Sequence, residues 1–186
     1  MANSLRNWLA GIGLSVGAVT GAVYVADTEG YSATAYYDVA QKLTVCRGHT
    51  GSDIIQDKVY TRAECDQLFA RDIKAADDAL LRLTNPVKLT NGEHAAYLSF
   101  IFNVGQGAFA GSTLRKKLLA GDALGACDEL IKACGRYGCH GWVYSYDIKW
   151  PGLVTRRNEE HAMCISELPA SVFPPATDRR ASPWIQ

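Results

Sequence analysis

The chain has 186 residues, enough for one ordinary domain with its own core and hardly enough for two. Lys plus Arg and Asp plus Glu each total 19, so no net charge argues for nucleic acid or another strongly charged partner. Six cysteines, at positions 46, 65, 127, 134, 139 and 164, suit an oxidising compartment such as the bacterial periplasm. Cys134 and Cys139 have knuckle-like spacing, but no second close Cys/His pair completes a zinc site, so no metal is expected.

The first element is an uncharged run from Trp8 to Ala26. As one helix it would be about 28 Å long, close to the hydrocarbon thickness of a bilayer. Arg6 precedes it and Asp27 and Glu29 follow, which orients the N-terminus to the cytoplasm and the rest of the chain outside. Ten of its 19 residues are Gly, Ala, Ser or Thr, so it is only marginally hydrophobic. Three readings compete: a cleaved signal, a permanent anchor, and an anchor that later leaves the membrane. Gly13, Gly17 and Gly21 recur at four-residue spacing, a pattern that lets helices approach closely.

Next, residues 33–37 and 42–47 favour short extended runs with a turn at 38–41. Glu29-Gly30 is followed after eight intervening residues by Asp38, and after five more by Thr44. A hairpin can set Asp38 and Thr44 on one side of a groove facing Glu29 at the end of the preceding helix. Two carboxyls across a groove suit glycoside hydrolysis, in which one donates a proton to the leaving oxygen and the other activates water or attacks the sugar. In a chain with 19 acidic residues that spacing alone is weak.

Thr61-Arg62-Ala63-Glu64 reads as a capping box with Leu68, Ile73 and Leu80 on a helical pattern behind it. Thr90-Asn91-Gly92-Glu93 opens a second helix whose Tyr97, Phe100 and Ile101 are expected in the core. Ser112 or Thr113 caps a third that ends at Gly121, and residues 122–133 read as a fourth. Residues 135–148 form an aromatic insert, read as a surface elaboration in preference to a cleft rim. Residues 167–186 hold four of the six prolines and no apolar period, which predicts a loosely packed or disordered tail.

The run from Glu29 to Gly51, with Glu, Asp and Thr at this spacing and then Gly48-His49, resembles the active-site segment of the phage-type lysozymes (glycoside hydrolase family 24, the T-even phage type). Residues 102–105 (FNVG), 111–114 (GSTL) with Lys116 and Lys117, and 150–157 (WPGLVTRR) resemble that family's later motifs in order. The likeness covers about residues 27–166. Joined to a Gly/Ala-rich export segment, it is similar to the signal-arrest-release endolysins, and to the type with no cysteine in that segment.

The resemblance implies an α+β, mainly α, two-lobed domain over 27–166, with a small β-hairpin lobe and a helical lobe. A membrane-insertable helix over 1–26 precedes it. The implied partners are peptidoglycan glycan strands and, transiently, the host inner membrane, with the periplasm as destination, a monomer once released, and no cofactor or nucleic acid. The implied activity is hydrolysis between N-acetylmuramic acid and N-acetylglucosamine with inversion, for which carboxyls about 6.5 to 9.5 Å apart are needed. Glu29 would be the general acid, Asp38 the base or electrostatic stabiliser, and Thr44 the residue that orients water. Asn103 and Arg156 would contact glycan, with Arg156 or Arg157 pairing with Glu29, and His49 would be structural. Family-like placement pairs Cys46 with Cys65 and Cys127 with Cys164; proximity pairs Cys134 with Cys139. The rival classes are a tethered peptidoglycan-binding protein without turnover and a zinc amidase, against which the lack of an H-E-x-x-H arrangement argues.

Overall fold

A computed structural model describes residues 2–38, 41–132, 142–145 and 148–174. The uncharged N-terminal run is not one helix. It is divided between α1 (Ala2–Gly11) and α2 (Val16–Thr28). Gly13 takes a positive φ of 85° in the break, and the Ser15 hydroxyl accepts from the Ala18 N–H to start α2 afresh. Among the described residues no helix is long and apolar enough to cross a membrane. The continuous helix expected over this segment is thereby corrected: hydropathy marks residues destined for an apolar environment, and here a protein core supplies it.

The reading frame of that core is set by α2. Gly17, Ala18, Val19, Gly21, Ala22, Val25 and Ala26 are buried, and the helix lies along α4 (Asn91–Val104). Two glycines decide how closely. A Cβ added at Gly17 would sit 2.7 Å from the His94 Cβ and 2.9 Å from the Asn91 carbonyl oxygen, and one at Gly21 would sit 2.7 Å from the Ala95 oxygen. The four-residue glycine spacing therefore splits in role. Gly17 and Gly21 make the contact, while Gly13 makes the turn.

The hairpin forms as the sequence predicts, from β1 (Ser32–Tyr37) and β2 (Leu43–Cys46), antiparallel and irregular between Ser32 and Tyr36. Beneath it Val45, Cys46, Tyr60 and Cys65 form a small apolar cluster of their own. Both expected capping boxes are made, Thr61 with Glu64 opening α3 (Arg62–Thr84) and Thr90 with Glu93 opening α4. Tyr97, Phe100 and Ile101 of α4 lie in the main core. A short α5 (Gln106–Gly111), which the sequence analysis did not anticipate, precedes α6 (Thr113–Leu119), and Ser112 is the residue that caps α6.

The helix expected over 122–133 is shorter, with α7 spanning Ala123–Asp128. A ribbon of β3 (Tyr144–Ser145) and β4 (Ile148–Lys149) leads into α8 (Pro151–Ile165). Disulfides join Cys46 to Cys65 and Cys127 to Cys164, tying β2 to α3 and α7 to α8. The expected Cys134–Cys139 pair lies outside the described residues. The tail packs Leu168 against the main core and makes a 3₁₀ turn at Ala170–Val172; the rest of the tail expectation, from 175 onward, lies outside the described residues.

The Gly21 contact yields a direct prediction. Gly21→Val should destabilise by about 1–3 kcal/mol or more, because its side chain meets helix backbone that cannot yield cheaply. Gly107→Ala in α5, where an added Cβ meets nothing within 4 Å, should leave the melting temperature unchanged or raise it. Equal melting temperatures for Gly21→Val and wild type would remove the close-packing claim.

Candidate active site

Glu29 is the residue at which α2 ends. Its N–H still donates to the Val25 carbonyl at 2.9 Å, and its ψ of 142° turns the chain out toward the hairpin. The side chain is partly buried and points back at α8, where Arg156 Nη1 donates to Glu29 Oε1 at 2.7 Å. On the other side stands Gly48, in a positive-φ conformation in the turn after β2. A Cβ built there would lie 3.5 Å from Glu29 Oε2, so hairpin backbone borders the carboxylate directly. Helix end, hairpin turn and α8 thus meet on one carboxyl group.

Arg156 is 8% exposed and is held from behind. Its Nε donates to Glu160 Oε1 at 3.3 Å and its Nη2 to Ser99 Oγ at 3.4 Å. Glu160 is completely buried and also accepts from Ser99 Oγ at 2.6 Å and Arg157 Nη2 at 2.8 Å. Arg157 in turn lies over the Phe100 ring at 4.8 Å and donates to Asn103 Oδ1 at 3.2 Å. Two guanidiniums and two carboxylates therefore balance in one buried network. Burial pushes the Glu160 carboxyl up and the Arg157 guanidinium down, and the pairing of the two groups works against both shifts.

Arg156, expected to reach the glycan, turns its donors inward onto Glu29, Glu160 and Ser99. Arg157, the other candidate partner for Glu29, pairs with Glu160 instead.

Asp38 stands at the far end of the hairpin's first strand. Its Oδ1 accepts from the Lys42 N–H at 2.9 Å, and its backbone bonds to Lys42 and Gln41 close the turn. Together with Asn103 and Arg156 it lines a hollow of about 970 Å³. Gly48, Thr50 and Gln106 line a second, smaller hollow of about 250 Å³. Glu29 lines neither, but Arg156, which bonds it, lines the first and Gly48, which borders it, lines the second. Thr44 is 3% exposed, donates its hydroxyl to the Lys42 carbonyl at 3.0 Å, and lines neither hollow. Its remaining contribution to chemistry would be through the lone pairs of that oxygen.

His49 is buried, with Nδ1 2.7 Å from Asp72 Oδ2 and Nε2 3.1 Å from Asp53 Oδ1. Nδ1 clips the turn after β2 to α3 through Asp72, and Nε2 meets Asp53 in the loop before that helix. It is a structural hydrogen-bonding residue, as the sequence suggested.

Residues 26–160 match the phage lysozyme family. The chain belongs to that family. It is accordingly a glycosidase of peptidoglycan. It is 40% identical over 140 residues to a SAR-endolysin of Bacteriophage PS119, covering 74% of this chain and 76% of that one. It is 44% identical over 128 residues to a SAR-endolysin of Escherichia phage Mu, covering 69% and 68%. In fold it is similar to the active form of the P1 phage endolysin Lyz, with a TM-score of 0.72 at 17% identity, covering 91% of this chain and 96% of that one.

Sequence reasoning missed Glu160 and Ser99, although Glu160 stands four residues after Arg156 and three after Arg157, the spacing at which helical side chains meet. Of the insert, read as a surface elaboration in preference to a cleft rim, residues 135–141, 146 and 147 lie outside the described residues; Trp142 and Tyr144 near its end line the large hollow beside Trp150.

Arg156→Met should lower kcat by roughly a hundredfold or more, because the Glu29 carboxylate loses the guanidinium paired with it. The same change should cost about 3 kcal/mol of stability by stripping partners from buried carboxylates. Wild-type turnover by folded Arg156→Met would show that the pair is incidental.

Proposed function

We propose that the protein is an N-acetylmuramidase that hydrolyses the β-1,4 bond between N-acetylmuramic acid and N-acetylglucosamine, with Glu29 as general acid. The observation that carries this reading is the seating of Glu29 between the Arg156 guanidinium and the Gly48 backbone, each of which lines a hollow. A glycan strand running from one hollow to the other crosses Glu29. Glu29 gives its proton to the glycosidic oxygen as that bond breaks, and Arg156 at 2.7 Å stabilises the carboxylate that results. Asp38 takes a proton from the water that attacks the anomeric carbon from the opposite face, giving inversion, and Thr44 helps orient that water.

Residues 1–26 form the signal-arrest-release segment in this proposal, ahead of a catalytic domain over 27–166 and the tail. The enzyme is first held inactive in the host inner membrane with its N-terminus in the cytoplasm. It is then freed, as a monomer, to the periplasm. The folded arrangement supports this because the segment has work to do inside the domain. Leu9, Leu14, Ala18, Ala22 and Val25 are core residues. Tyr24 donates to Glu159 at 2.7 Å, and Arg47 donates to the Ala26 carbonyl. Burial and the Glu159 carboxylate push the Tyr24 phenol up, so it stays a donor at any physiological pH. None of these contacts can exist while residues 8–26 cross a bilayer, and Glu29 follows α2 immediately. Catalytic competence and membrane residence are mutually exclusive.

Two experiments test the two halves. Wild type should release new reducing ends on N-acetylmuramic acid from purified peptidoglycan, while Glu29→Gln folds but releases none; lysis by Glu29→Gln removes Glu29 from the role, and release of peptides or of nothing points to an amidase or a binding module. Collapse of the membrane potential in expressing cells should trigger lysis with movement of the protein from membrane to soluble fraction. Equal specific activity in the two fractions would defeat the release mechanism.

A further inference from the structure

The large hollow beside Asp38 has a wall that the catalytic residues do not explain. Tyr144 on β3 and Trp150 just before α8 both line it, and each keeps over two-fifths of its surface exposed, 43% and 42%. Tyr144 is held in the ribbon opposite Lys149, and Trp150 is tied to the residue before Tyr144. The Trp150 N–H donates to the Val143 carbonyl at 3.0 Å, and the neighbouring Trp142 ring stands edge-on against core residue Phe100, with centroids 4.9 Å apart at 87°. Trp150 also occupies the N-cap position, without a side-chain capping bond, of the helix that carries Arg156.

We propose that Tyr144 and Trp150 form a stacking platform for a neutral hexosamine ring of the glycan, a sugar-binding position extending from the cleavage point on the Asp38 side. This rests on the lysozyme reading above. The chemistry of the hollow favours a sugar over the stem peptide. Its described lining holds the carboxylates of Asp38 and Glu159, and its single cation, Arg156, already faces Glu29 and Glu160. Acidic stem peptides meet like charge there. A pyranose ring presents a face of weakly positive C–H groups, which complements the negative face of an aromatic ring. Large, mainly apolar hollows with a few convergent polar groups are the usual form of a site that orients a ligand. Leu153 and Val104 complete the apolar part of the wall, suited to an acetamido methyl group.

The test uses the whole protein and glycan strands stripped of stem peptides, with reducing ends as the readout. Tyr144→Ala and Trp150→Ala should each raise KM roughly five- to tenfold with kcat held near wild type, since the platform binds substrate without touching the reacting atoms. Tyr144→Phe and Trp150→Phe should restore the wild-type KM. Trp150→Leu, which keeps apolar bulk without a π face, should behave as Trp150→Ala and covers the case in which that variant fails to fold. An unchanged KM in the folded Ala or Leu variants overturns the platform. So does a Phe variant no better than its Ala counterpart, or a KM rise confined to strands that keep their peptides. Wild type that releases no reducing ends at all would instead sink the muramidase reading, so the two failures are distinguishable.

Discussion

The contact of α2 with α4 is closer than side chains ordinarily allow, and the position of the Glu29 carboxyl follows from it. Gly17 and Gly21 let the α2 backbone rest on Asn91, His94 and Ala95, with no room for even a methyl group between. Ser15, the residue that starts α2, lies 3.2 Å from His94 Nδ1, and the same imidazole meets Asp77 of α3 at 2.5 Å. Both the start of α2 and its middle are thereby located against α3 and α4. A helix fixed in position along its length carries its last residue to a fixed place, and that residue is Glu29. Reactive groups held on rigid elements keep the geometry that chemistry requires.

From that fixed end the charges fall into order. Glu29 meets Arg156, Arg156 meets Glu160, and Glu160 meets Arg157 and Ser99, all at hydrogen-bonding distance. An isolated charge at the position of Glu160 would be very costly; here each charge has a counter-charge within hydrogen-bonding distance. The network anchors the guanidinium that steadies Glu29, and through Arg157 and Asn103 it reaches the wall of the large hollow. The Cys127–Cys164 disulfide holds α8, which carries both arginines, to α7.

What could be read from the sequence was local. The hairpin, the two capping boxes and the core aromatics of α4 depend on neighbours within a few residues, and they stand where they were expected. The N-terminal run was harder, because a marginally apolar segment scores alike whether lipid or protein surrounds it. Only Gly13 and Ser15 mark its division into two helices, and both look ordinary in a run rich in small residues. Catalytic candidates and the two disulfide pairs within the described residues came from family resemblance, since no spacing rule assigns them. Glu160 escaped because its role arises only when α8 and α4 are brought together.

Amide hydrogen exchange over residues 17–29, measured on enzyme that is cleaving peptidoglycan, tests most directly whether a docked α2 builds the site. Protection in α2 comparable to that in α4, together with activity, is the predicted result. Rapid exchange throughout α2 in a fully active enzyme would contradict it, for Glu29 would then work without the helix that is held here to place it.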